Sequence, residues 1–518
     1  MPGYKIFWGD SHDNRYQYPD RPADMDSVCR LAQSHLDFYP MAYYTPDVFN
    51  LHKSGLRLET RKDTKRLERE WAEVEAAAKQ WNAPGGFVTF PGYEWQGDGT
   101  WGDHNVFHRA EGAPLCRAET LPELYECIGK YDAYAIPHHT AYYPGMRSKN
   151  WDVLDEALSP FTEIFSVHGS SETDEEFIGL RGNRKMGPGA GGETYEDALA
   201  RGLHVGAICS TDNWGEMPGH YGHGLMACLA PELTRDALWE AFGARRVYGV
   251  TGDRIRLDFT VNGAVMGGIT KARKKQEIRV KVEGADVIDR IEVLRGSRVI
   301  ATYCHQGKWD IPSPGTTSRF KMRVEAGWGP DENELNLPPR EWHGALSVAD
   351  GRMLGSDPCW ISGGQKAPVI KGQNAEFEML STGLTVGGRW QNANIFEFEA
   401  EPGARLSVQM NGLEATDTVE RFARASRILW FRDECMKVLE THKGLAPGET
   451  PRDDIYYHLA YKAKLHRAVP EAGYKASFAF EDDVPVTDET WYRVRVEQRN
   501  GQKAWSSPVW VDGRSNHI

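Results

Sequence analysis

The sequence predicts an α/β fold over residues 1–253, followed by a mainly antiparallel, sandwich-like β region over 254–518. Three observations lead there. In the first half, short apolar runs alternate with helical stretches, the pattern of parallel strands joined by helices. From about residue 254 apolar and polar residues alternate one by one, the period of a half-buried strand. The chain has 518 residues, more than one hydrophobic core normally serves, so at least two domains are expected.

The elements follow in chain order. Candidate strands of the first half are Lys5–Trp8, Phe87–Pro91, Ala133–Ile136, Phe161–Phe165 and Val205–Cys209. Each is brief and apolar, and each runs straight into polar, His-rich or Gly-rich residues. The clearest helix is Thr60–Trp81, where Leu67, Trp71, Val74 and Ala78 recur at three- and four-residue steps and mark one buried face. In the second half, Arg256–Asn262, Glu277–Glu283, Arg290–Arg295, Arg319–Glu325, Gly388–Glu401 and Arg405–Met410 alternate as strands. Trp491–Gln498 and Ala504–Val511 flank Asn500-Gly501, a hairpin signal. Ala415–His442 reads as more helical, and Ala460–Arg467 as a short helix.

Composition excludes several partner classes. The formal net charge is −13, which disfavours the phosphate backbone of nucleic acid. No run of 18 apolar residues suggests a membrane span, and residues 1–30 lack an export signal. The eight cysteines are scattered with no CxxC pair, so a thiolate zinc site is unsupported and reduced thiols in a cytoplasmic protein are expected. A homo-oligomer is compatible with all of this.

Six motifs carry the chemistry: Gly9–Asn14, Pro91–Trp95, Gly102–Asn105, Ile136–His139, Glu163–Gly169 and Ser210–Trp214. All follow or adjoin a candidate strand, where α/β folds place their active sites. Imidazole and carboxylate are natural ligands for zinc, manganese or iron. A lone buried histidine is usually a core residue, but recurrence of the same chemistry at successive strand ends points to a metal site. The glycine-rich Gly187–Gly192 lacks phosphate-loop spacing and reads as a connector. Ser170 and Ser171 have no triad context.

In number and order these motifs resemble the PHP (polymerase and histidinol phosphatase) superfamily, and within it a branch with a β-rich C-terminal extension. Gly9–Asn14, Pro91–Trp95, Asp103–Asn105, Ile136–His139, His168–Glu172 and Ser210–Gly222 carry the likeness, and Ala504–Pro508 is similar to that branch's terminal strand. The resemblance implies a distorted, TIM-like (β/α)7 barrel with up to three metals. It implies His12, Asn14, Glu94 and Asp212 as ligands of one ion, and Glu94, His138 and His168 of a second, with His139 or His104 as substitutes or as substrate-binding residues. Tyr43, Tyr44 and Trp214 stand where a third site's residues are expected, so one or two divalent transition ions are expected rather than three.

The expected activity is metal-dependent hydrolysis, by resemblance of a phosphoester, with metal-activated water as nucleophile. Asp212, His139 and His104 are the candidates for proton transfer, and Asp10 for orienting His12. Tyr44, Trp95, Tyr142, Arg147, Trp214 and His220 are the candidates for binding a small substrate with an apolar or cyclic part. Arg109, Arg181 and Arg184 are more simply solvated surface. The alternatives are a metal-assisted lyase acting on a carbohydrate or aromatic acid, and a binding protein that has lost turnover.

Overall fold

The computed structural model describes residues 3–16, 24–45, 64–176, 178–180, 191–214, 217–305, 311–328, 339–381, 391–443 and 461–514. Arg181, Arg184, residues 187–190 of the glycine-rich stretch and residues 60–63 of the expected helix lie outside them. The chain forms two compact units. The first comprises 1–283, 289–304 and 476–518, and the second 284–288 and 305–475. The sequence pattern changes at 253/254, whereas the first unit also takes in the hairpin strands near the C-terminus.

The expected (β/α)7 barrel is not what the chain builds. Among the described residues the structure is β-rich, with its strands shared among six sheets. The first-half strands fall into three of these. Lys5–Gly9 pairs in parallel with Phe38–Pro40, and that strand with Val88–Phe90, but Lys5–Gly9 pairs antiparallel with Leu225–Ala230 on its other side. A second sheet runs Asn213–Trp214, Asp13–Arg15, Ala42–Tyr44, Gly92–Trp95, His104–His108, Ala133–Pro137. A third holds Gly169–Ser170, Phe161–Ser166 and Gly206–Cys209. The physical reason is connection length. A parallel pair needs a crossover of about a dozen residues or more. The eight residues between Trp95 and His104 allow only an antiparallel return, and that return continues the sheet instead of closing it.

Helices cover only part of these sheets. Thr64–Gln80 buries Leu67, Trp71, Val74, Ala77 and Ala78, the face its spacing predicts. Leu121–Ile128 starts at a reciprocal capping box between Thr120 and Glu123. Phe38, Phe90, Phe107, Ile136, Phe161 and Phe242 belong to one apolar cluster that supports the strand ends. The strands Glu489–Gln498, Lys503–Ser506 and Val509–Asp512 join the same sheet as Lys5–Gly9 through pairing of Val247–Val250 with Lys503–Ser506.

The second unit is built from two antiparallel sheets that share one apolar cluster, including Phe320, Trp342, Phe377, Phe396 and Leu406. Where a helix is expected over Ala460–Arg467, the described residues 461–467 contain the strand Lys462–Leu465, paired with Ser318–Gly327 and Arg427–Trp430. Its alternating burial is that of a strand. The stretch Ala415–His442 is mixed, with helices Val419–Arg424 and Arg432–Lys443 separated by a strand. Against the expectation of reduced thiols throughout, Cys116 and Cys127 form a disulfide, and the other six cysteines are free. No sequence motif marks this pair. No helix among the described residues is long and apolar enough to cross a membrane.

Candidate metal centre

Four segments deliver the site. Lys5–Gly9 ends at Asp10 and His12, Ala133–Pro137 at His138 and His139, and Gly206–Cys209 at Asp212. Glu163 stands inside the strand Phe161–Ser166. Ligand atoms from His12, His138, Glu163 and Asp212 all lie within 4.8 Å of one another, and all four residues are buried. Asp103, His138 and His139 form a second such group that shares His138.

Asp212 is the hub. Its Oδ1 lies 3.3 Å from His12 Nε2, and its Oδ2 lies 3.3 Å from His168 Nε2 and 3.8 Å from His138 Nδ1. His12 turns its other nitrogen, Nδ1, to Glu163 Oε2 at 2.9 Å. Glu94 approaches His12 Nε2 at 3.6 Å. Gly92, two residues before Glu94, permits that strand's position. A Cβ there would meet the Met41 and Val106 carbonyl oxygens at 2.4 and 2.7 Å. His139, Arg147 and Asp212 all have positive φ without being glycine. Such backbone is costly and tends to gather where surrounding structure enforces a functional geometry.

Electrostatics sorts the groups. Burial, with His12 and His139 nearby, holds the His138 imidazole well below its ordinary range, so it is neutral and has a lone pair to offer. Burial pushes the carboxyls of Asp212 and Glu163 up, against the opposing pull of His12. Burial acts the same way on Glu94, but His12 and Arg147 outweigh it and keep that carboxylate low. For His12, burial is outweighed by Asp212 and Glu163, which raise it.

The fit of a cation can be tested on unsatisfied atoms. Both ring nitrogens of His138, Oδ2 of Asp212, Oε2 of Glu94, Oε1 of Glu163 and Oδ1 of Asn14 are buried without a hydrogen-bond partner. Buried polar atoms are normally paired, and each orphan costs roughly 1–3 kcal/mol. So many acceptors and lone pairs in one place fit a metal ion, and nitrogen with carboxylate oxygen is a transition-metal donor set. The buried His/Asp/Glu cluster is therefore able to hold a metal.

The remaining expected site residues take varied positions. Asn14 Nδ2 lies 3.4 Å from His12 Nε2. Asp10 accepts from the backbone N–H groups of His12, Thr211 and Gly219 and from the Thr211 hydroxyl. It ties three site loops together, and the partner of the His12 ring is Glu163. His168 Nδ1 hydrogen-bonds the Tyr142 hydroxyl at 2.7 Å, and the half-exposed Trp214 packs edge-on to the His168 ring at 5.9 Å. Tyr44 accepts from Gln96. Trp95 is buried, with its indole N–H on the Ala118 carbonyl at 2.8 Å. His220 stacks on His223 at 3.8 Å. His104 sets Nδ1 on the Gly102 carbonyl and lies beside Trp95. Arg147 meets Asp103 and Glu94. Glu163 opens the motif Glu163–Gly169 but is not among the ligands that the resemblance implies. The signal that marks it is a lone charged residue within a buried, otherwise uncharged strand.

No protein-family model matches the sequence. The chain is 26% identical over 320 residues to an uncharacterized protein of Chlamydia pneumoniae, an overlap that covers 56% of this chain and 49% of that one. It is 24% identical over 268 residues to an uncharacterized protein of Chlamydia trachomatis, covering 48% and 41%. The chain thus spans about half the length of the curated relatives it matches. Among solved structures, a two-domain protein of Bacteroides vulgatus containing a predicted PHP-like metal-dependent phosphoesterase is similar at a TM-score of 0.32 and 12% identity, over 57% of this chain and 80% of that one. At that score the likeness is weak, and neither structure stands in for the other.

Proposed function

We propose that the chain is a metal-dependent hydrolase, acting on a phosphoester of a small molecule with an apolar or cyclic part. The observation that carries this is the convergence of His12, His138, Glu163 and Asp212 on one point, beside orphaned atoms of Glu94 and Asn14. A zinc, manganese or iron ion, when bound, supplies acidified water and polarises a substrate oxygen. His12, His138, Glu163 and Asp212 would hold it, with Glu94 and His168 against the same cluster. Glu163 fixes the His12 ring so that Nε2 faces Asp212 and Glu94, and the Tyr142 hydroxyl does the same for His168. His139, against Asp103 at 3.4 Å, is placed to hold or pass a proton. Trp214, 43% exposed beside His168, offers an apolar wall at the mouth of the cluster.

The test is to screen the purified, metal-loaded chain against aryl and sugar phosphoesters in oxygen-labelled water. Release of labelled phosphate, abolished together with metal content in Asp212→Ala, is expected. A product free of label would mean elimination and overturn hydrolysis. Purified protein that neither carries nor binds a transition metal would favour a binding protein.

A further inference from the structure

Arg147 grips Asp103 of the second group of potential ligands and also reaches Glu94, which stands against His12 of the first. Its Nε donates to Asp103 Oδ2 at 2.6 Å, and its terminal nitrogen reaches the same oxygen and, at 3.5 Å, Glu94 Oε1. Asp103 is fully buried and Arg147 is 15% exposed. The backbone at Arg147 has φ +69 and its N–H is held by the Gly99 carbonyl at 2.7 Å, so the guanidinium is delivered by a constrained loop. The Asp103 oxygen that it grips also faces His139 Nε2 at 3.4 Å. Asp103, His139 and His138 make up the second group of potential ligands.

Resting on the metal-site reading above, we infer that Arg147 is the built-in cation of this second position, and that the centre holds a single divalent ion at the His12, His138, Glu163 and Asp212 group. Two observations combine here. Asp103 Oδ1 has no hydrogen-bond partner, so the carboxylate has an oxygen to offer, but an ion placed there would stand one carboxylate away from a fixed guanidinium. Like charges at that spacing in a buried site repel strongly. The guanidinium also already holds an Asp103 oxygen and approaches one of Glu94, so each carboxylate has a fixed cation beside it. Arginine suits the task because it keeps its charge when buried and presents its donors in a rigid fork. A lysine would keep the charge without the fork.

The experiment counts ions. The full chain is stripped with chelator and titrated with Mn²⁺, with stoichiometry from elemental analysis and nuclearity from electron paramagnetic resonance. Wild type is expected to bind one ion with an uncoupled signal. Arg147→Gln is expected to admit a second ion and to show exchange coupling, while Arg147→Lys stays at one. Two coupled ions in wild type would overturn the inference while leaving the metal-dependent reading intact, as would Arg147→Gln that remains at one ion with a native circular dichroism spectrum. Should Arg147→Gln not fold, the wild-type resonance spectrum alone decides. Absence of any binding in wild type would remove the metal-site reading and this inference with it.

Discussion

The two compact units fill their interiors differently. In the second, strand alternation delivers Phe320, Met322, Val324, Trp342, Phe396 and Phe398 into one apolar cluster at zero exposure. In the first, an apolar cluster around Phe38, Phe90 and Phe242 is accompanied by buried His12, Asp103, His104, Glu163 and Asp212. Burying polar groups without partners works against folding. Both groups of potential metal ligands among the described residues lie in the first unit. The second unit has orphaned buried atoms too, such as Nδ2 of Asn394, but the first gathers them at one cluster of potential ligands, a local cost that a bound cation would offset. The first unit's buried charges also divide into two kinds. Around His138 and Asp212 some atoms are left unsatisfied. Around Glu172 the carboxylate itself is paired, because Arg493 meets Glu172 and Glu196 while the Trp505 indole also donates to Glu172, although Arg493 Nε is left without a hydrogen-bond partner.

That paired set gives the largest expected effect. Arg493→Ala leaves the fully buried Glu172 without its main counter-charge; Arg495 at 3.6 Å is only a partial substitute. Breaking a buried pair from one side costs about 3–5 kcal/mol. Urea unfolding should show a loss of that size, and a loss under about 1 kcal/mol would place Glu172 in water or in neutral form. Glu172 follows closely on His168, so metal affinity should fall as well. Trp342→Ala in the second unit makes the contrast. It empties a fully buried site whose indole donates to Ser381, at a cost of about 3–5 kcal/mol. Metal content should not change. A Trp342 variant that folds but loses metal would break the division of labour between the units.

How much of this is legible in the sequence follows from what each signal measures. Spacing along one segment is readable. Leu67, Trp71, Val74 and Ala78 mark the buried helix face as expected, and the Asn500-Gly501 turn joins two paired strands. Strand-end placement is readable too, because His12, His138 and Asp212 come at or soon after the ends of short strands. Pairing direction is not. Nothing local in Lys5–Gly9 shows that its neighbour Leu225–Ala230 runs antiparallel, since register and direction are set by partners more than two hundred residues away. The barrel expectation fails on that point as well as on the short connection between Trp95 and His104. Glu163 is hard to read for a related reason, because its place in the cluster comes from a ring 151 positions earlier in the chain. Arg493 is hidden in the same way, being one charge in an alternating strand until Glu172, 321 residues away, gives it a partner.

The smallest effect sharpens the difference between buried histidines that face the cluster and those that do not. His108 lies at the end of the strand His104–His108, packed among Trp71, Tyr93 and Tyr131 with ring centroids 6.2, 6.1 and 6.3 Å away. Neither ring nitrogen has a hydrogen-bond partner, and burial alone pushes its pKa down to about 4. An unfolded histidine takes its proton near pH ~6.5. Between those values the unfolded chain binds more protons than the folded one, so stability is full above about pH 6.5 and falls as pH drops toward about 4. Linkage costs about 1.4 kcal/mol for each pH unit between the two pKa values, so the loss approaches about 3 kcal/mol at the acid end. His108→Leu removes the proton site and keeps the apolar packing. Its stability relative to wild type should therefore improve by about 2–3 kcal/mol on going from about pH 7.5 to about pH 4, measured by urea melts at both. A difference between the two proteins that does not move with pH would show that His108 stays solvated enough to titrate normally.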